Sequence, residues 1–153
     1  MTAGGGGVAE QGGGGPAEAG DARIMPVLAV RRGAEAVDFY KRAFGAHERM
    51  RVTAPDGAVV AELEIGGARF MVADESPEHG HHSPEGLGGS TVRIALVVAD
   101  PDAVAQRAVA AGARLAYAVA DQDYGWRLGR VEDPYGHSWE IGKPLERGRQ
   151  PDR

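Results

Sequence analysis

The chain carries 153 residues with a formal net charge of -5 at pH 7, 24 glycines and no cysteine. Disulfides, thiolate metal ligands and thiol nucleophiles are therefore excluded. The acidic balance, with no dense Lys/Arg run, argues against nucleic acid or an anionic membrane as partner and suits a neutral or cationic ligand.

The N-terminal segment lacks the basic and apolar regions of a secretion signal, and no apolar run reaches the length of a membrane span. The expected compartment is the cytoplasm. Residues 1–22 contain the runs Gly4–Gly7 and Gly12–Gly15 and too little apolar surface to offset chain entropy, so disorder is expected there. They do not form a phosphate loop, because no strand precedes the glycines and no Lys-Ser/Thr follows them. With this tail and residues 144–153 set aside, residues 23–143 leave about 120 residues, enough for one compact domain around one core.

Met25–Val30 reads as a buried strand with Pro26 near its start, where a missing N–H is tolerated. A helix over about 34–44 places Val37, Tyr40 and Phe44 on one stripe and ends at Gly45. Residues 48–52 and 59–65 read as a hairpin around Pro55-Asp56-Gly57, and 68–73 as the strand after the Gly66-Gly67 turn. Residues 75–91 form a linker. The order then repeats: strand 92–98, then a helix capped by Asp100, opened by Pro101 and closed by Gly112, with Val104, Ala105, Ala108 and Val109 as its apolar stripe. Strands follow at 115–119, 128–132 and 137–141, with Asp133-Pro134-Tyr135-Gly136 as the last turn.

The repeat is visible in the residues themselves, since Glu35-Ala-Val to Gly45-Ala46 parallels Asp102-Ala-Val to Gly112-Ala113. Each half is βαβββ, one over residues 24–74 and one over 92–143. The fold class is α+β.

A duplicated βαβββ unit resembles the glyoxalase/bleomycin-resistance/extradiol-dioxygenase superfamily, the vicinal oxygen chelate proteins. The likeness is carried by Asp38-Phe-Tyr-Lys-Arg-Ala-Phe-Gly45 and Asp133-Pro-Tyr-Gly-His-Ser-Trp-Glu-Ile141. With Asp121-Gln122, Gly125, Arg127 and the Ser83-Pro84 to Gly88-Gly89 linker, these look most like its PhnB-like branch. The resemblance implies curved sheets forming a cup for a small molecule, often completed by homodimerisation. In metal-using members the first and last strands of each module supply the ligands. Carried over by spacing, those places fall on Met25 (or Pro26), Met71, Arg93 and Glu140. A thioether grips a hard divalent ion poorly and a guanidinium repels it, so Glu140 alone retains a suitable donor. An Arg93–Glu140 ion pair is expected in the vacated site.

His79, His81 and His82 cluster in the linker, where ligands fixed on rigid elements are not expected. His137 should face away from the cup with Trp139 and Ile141. Asp121–Arg127 reads as a pocket rim or lid, with Tyr124 and Trp126 able to stack on a planar ligand and Arg127 to anchor an acidic group or the loop. Glu62 and Glu64 share a strand face that is more often solvated than an acidic wall.

These readings converge on a metal-independent small-molecule binding protein, of a kind that sequesters an antibiotic or metabolite, rather than an enzyme. Its expected ligand-binding residues are Arg93, Glu140, Tyr124, Trp126 and Arg127, with no cofactor and a small organic ligand as partner, cationic if the acidic balance selects it and acidic if Arg93 does. The competing reading is a glyoxalase- or dioxygenase-like enzyme in which Glu140 holds a divalent metal ion. A third is acid/base catalysis by a desolvated Glu140 that Arg93 leaves unpaired.

Overall fold

The computed structural model describes residues 21–146. The glycine-rich stretch read as disordered lies almost wholly outside the described residues, as does the end of the C-terminal tail. The elements are β1 (Val27–Val30), α1 (Gly33–Phe44), β2 (His47–Thr53), β3 (Val59–Ile65), β4 (Ala68–Asp74), α2 (Pro84–Leu87), β5 (Arg93–Val97), α3 (Pro101–Ala111), β6 (Arg114–Asp121), β7 (Trp126–Glu132) and β8 (Ser138–Pro144). They build two four-stranded mixed sheets of identical topology, β1-β4-β3-β2 and β5-β8-β7-β6, each with a parallel first pair and antiparallel remainder.

Local chemistry explains the helices. Gly45 closes α1 at φ 67°, a left-handed conformation costly for any residue with a Cβ, and its N–H returns to the Lys41 carbonyl. Asp100 caps α3 by accepting from the Ala103 N–H at 3.1 Å, and Pro101 sits where its missing N–H costs nothing. The linker is more ordered than expected. Ser83 caps the short helix α2 by accepting from the Gly86 N–H, and its own hydroxyl donates to Glu75.

Both sheets turn one face to a single core. Trp139 of β8, 1% exposed, lies 4.6 Å from Phe44 of α1 and 5.6 Å from Phe70 of β4, ring centre to ring centre. Tyr40 packs in the same cluster, 5.4 Å from Trp139. Buried face therefore meets buried face, and the other face of each sheet lies on the outside of the molecule. The helices are adjacent, with Arg107 of α3 donating to the Arg42 carbonyl at the end of α1.

The halves are also locked by polar contacts from the β7–β8 turn. Buried Asp133 accepts from Tyr40 Oη at 2.5 Å, Trp139 Nε1 at 3.0 Å, and the backbone N–H groups of Tyr135 and His137, both at 2.9 Å. Burial and the neighbouring Asp133 carboxylate push the Tyr40 hydroxyl well above its ordinary range. Tyr135 Oη donates to Glu35 of α1, and this hydrogen bond, aided by Arg32, holds the Glu35 carboxyl below its usual range. His137, buried as expected of a residue facing the core, contacts the Ala29 carbonyl of β1 through Nε2 at 2.9 Å.

Two expectations change. Val109 belongs to the predicted stripe of α3 but is 41% exposed, because Ala105 and Ala108 form the buried contact. A cavity of about 400 Å³ is left between α3 and β6, lined by Ala105, Val109, Leu115 and Val119 among others. Glu62 is not solvated. It is 1% exposed and paired with Arg69 at 3.1 Å. Among the described residues no helix is long and apolar enough to cross a membrane.

Candidate ligand-binding face

The outward face of the β5-β8-β7-β6 sheet is set by strand alternation. Ile94, Leu96, Trp139 and Ile141 turn toward the core, so Arg93, Ala95 and Glu140 turn out. Parallel pairing places Ala95 beside Glu140 and Arg93 one step back beside Ser138, which brings the two charged groups together diagonally. Arg93 Nε lies 3.0 Å from Glu140 Oε1, forming the expected ion pair. The guanidinium side chain is 60% exposed and the carboxylate 27%. At that exposure the pair fixes geometry more than it stabilises the fold.

Across the sheet, register continues the row. Glu140 stands opposite Arg130 of β7, and Arg130 opposite Tyr117 of β6. The Arg130 guanidinium lies over the Tyr117 ring, 4.7 Å from its centre. A cavity of about 360 Å³ opens over this row, lined by Arg93, Tyr117, Gln122, Tyr124, Leu128, Gly129, Arg130 and Glu140. Gly129 is close-packed on the core side of the sheet, opposite Ile141, where a Cβ would sit 2.7 Å from Val119 Cγ2 and 2.8 Å from Val119 backbone atoms. The larger cavity beneath α3 is lined chiefly by apolar side chains and lacks such convergent polar groups.

Of the five residues expected to bind a ligand, Arg93, Glu140 and Tyr124 come together on this cavity. Arg127 is engaged elsewhere. It makes two hydrogen bonds to Asp102 at the start of α3, at 2.8 and 2.7 Å, and one to Asp121 at 3.0 Å. Those bonds, from Asp102 first, push Arg127 further above its already high range and hold the Asp102 carboxyl below its own. Trp126 begins β7 opposite Pro144 and is not among the residues lining the cavity. The segment read as a pocket rim or lid is a tight hairpin whose Gln122 and Tyr124 line the cavity. Asp121 ends β6, Trp126 begins β7, and only residues 122–125 connect them, with the Gln122 N–H donating to the Trp126 carbonyl at 2.7 Å. Strand pairing already satisfies the backbone on both sides, leaving no length of chain to swing.

Arg130 and Tyr117 were not singled out by sequence reading. A signal existed for Arg130: the Asp133–Gly136 turn joins β7 to β8, and counting outward from it pairs residue 132 with 138 and residue 130 with 140. Tyr117 follows only from the bulged β6–β7 register, which shifts on both sides of it.

On the other sheet, Met71 occupies the place corresponding to Glu140, and Met25 precedes β1 as Arg93 precedes Ala95. His79, His81 and His82 are exposed outside both sheets, with His79 Nδ1 2.6 Å from Ser76 Oγ. Among the described residues no three His, Asp or Glu side chains are grouped to hold a metal ion.

Comparison with known proteins agrees with this architecture. An uncharacterized protein of Mycobacterium bovis is 45% identical over 126 residues, covering 80% of this chain and 83% of that protein. The crystal structure of TioX from Micromonospora sp. ML1 superposes with a TM-score of 0.62 at 29% identity, over 82% of this chain and all (100%) of that one. The X-ray structure of an Arabidopsis thaliana gene product gives 0.61 at 30% identity, over 82% of this chain and 98% of that one. Residues 22–141 match the family model described as Glyoxalase/Bleomycin resistance protein/Dioxygenase superfamily. With two βαβββ modules matched over most of its length, the chain belongs to that superfamily.

Proposed function

We propose that this protein binds a small organic molecule on the outward face of its second sheet without a metal ion, sequestering an antibiotic or metabolite rather than transforming it. The observation that carries the reading is the 3.0 Å contact between Arg93 and Glu140. The one carboxylate retained at the expected ligand places is committed to a guanidinium, and a fixed cation beside it disfavours a second one. The same pairing departs from the unpaired Glu140 that the acid/base reading requires. On the motifs Asp38–Gly45 and Asp133–Ile141 together with Asp121-Gln122, Gly125, Arg127 and the Ser83-Pro84 to Gly88-Gly89 linker, we also assign the chain to the PhnB-like branch.

A cytoplasmic homodimer fits this reading. Beyond the cavity, the outward faces carry Val27 at 60%, Val52 at 46% and Val97 at 57% exposure, apolar surface that a second copy would cover. Light scattering on the eluting protein should give twice the monomer mass.

The test is a thermal-shift screen of tag-free protein against antibiotics and metabolites, with and without Mn²⁺ or Zn²⁺. Organic ligands should raise the melting temperature equally in the presence of EDTA. A stoichiometric divalent ion that survives dialysis and is lost in Glu140→Gln would instead establish the metal-enzyme reading.

A further inference from the structure

The row Tyr117–Arg130–Glu140 leaves one cation uncommitted. Arg93 takes Glu140, while Arg114 and Glu132, the neighbouring charged pair on the sheet, take each other at 2.8 Å. Arg130 Nε is buried without a hydrogen-bond partner among the described residues, and its guanidinium stacks on the face of Tyr117. A buried N–H of a charged group is costly to leave unpaired, so such a donor signals an acceptor that binds there. Stacking also fixes how that acceptor is met. With one face of the plane against Tyr117 and Nε enclosed, the two terminal Nη groups remain for two parallel hydrogen bonds to an oxyanion.

From this geometry we infer that the cavity over β6, β7 and β8 selects a ligand bearing an oxyanion on a planar ring, the anion held by the edge of Arg130 with Arg93 beside it and the ring meeting Tyr124. This rests on the small-molecule binding reading and adds the ligand's charge. The local balance, two guanidiniums against one carboxylate among the lining residues, overrides the net charge of -5 that favours cations for the chain as a whole. Exposed charges farther off are screened by salt, whereas a partly buried, stacked guanidinium is screened much less.

The test uses ¹⁵N-labelled full-length protein and four probes of similar size: benzoate, phenylphosphonate, benzamide and benzylammonium. Amide shifts of residues 117, 128–130 and 140 are followed at neutral pH and constant ionic strength. Benzoate or phenylphosphonate should bind about tenfold tighter than benzamide or more, with benzylammonium weakest. The tighter of the two anions identifies carboxylate or phosphoryl as the favoured headgroup. Arg130→Gln should abolish the preference over benzamide, and Arg130→Lys, which keeps the charge but not the planar fork, should restore only part of it. Benzamide matching the anions, or benzylammonium exceeding them, overturns the inference and leaves the binding reading standing. No shift on this face from any probe at its solubility limit overturns both.

Discussion

The two modules share a topology and divide the work. In the first, α1 presents Val37, Phe39, Tyr40 and Phe44 to the core, all buried. In the second, α3 presents only Pro101, Ala105 and Ala108, and a cavity remains beside it. The outward faces differ in the opposite sense: methionine stands in the first at the place where the second has Glu140, paired with Arg93 and followed across the sheet by Arg130 and Tyr117. The first copy thus supplies most of the aromatic core and keeps Glu62, buried and paired with Arg69, beside its methionine, while the second carries the charged row that lines a cavity.

The largest effect should come from the joint between them. Asp133→Ala removes the acceptor from two side-chain and two backbone donors and should lower stability by about 3–5 kcal/mol, read as a shifted urea midpoint. A loss below about 1 kcal/mol would mean the halves are held by apolar contact alone.

The asymmetry of the helices is tested by an equivalent pair. Phe39 and Gln106 occupy matching positions of the repeat, one buried and one exposed. Phe39→Ala should cost about 3–5 kcal/mol and Gln106→Ala about 0.5 kcal/mol or less in the same urea assay. Similar losses would refute the division of labour.

A smaller effect appears in alkali. An unfolded tyrosine ionises near about pH 10, whereas Tyr40 in the fold keeps its proton well above that value. Its contribution is therefore complete below about pH 10 and declines as pH rises toward the folded value, because only the unfolded chain gains from losing the proton. Urea midpoints should fall more steeply above pH 10 in the natural protein than in Tyr40→Phe. That variant should itself cost about 1.5–3 kcal/mol at neutral pH, the worth of a hydrogen bond to a charged acceptor. Parallel pH profiles would place the alkaline loss elsewhere.

Much of this fold was legible because it rests on short-range rules. Gly45 and Gly112 marked both helix ends, strand alternation set Trp139 and Ile141 on the face opposite Glu140, and the repeat aligned Arg93 with its partner strand. What was not legible depends on approach between distant segments. The commitment of Arg127 to Asp102 requires α3 to begin over β7, and the gathering of donors on Asp133 requires α1 to meet a turn roughly a hundred residues later in the chain. Glu62 failed for a related reason: alternation gives the face but not what covers it. Ser83-Pro84 followed by Glu85 did carry a helix-start signal, obscured by the surrounding glycines.

The engagement of the last turn by the first helix makes the repeat indivisible. Residues 92–146 expressed by themselves would carry a carboxylate whose phenol donor lies in the missing half, and an indole with no aromatic neighbours to shield it. Two fragments cut at the internal boundary should therefore need each other to fold, and a truncated allele should be rescued by its complement supplied in trans.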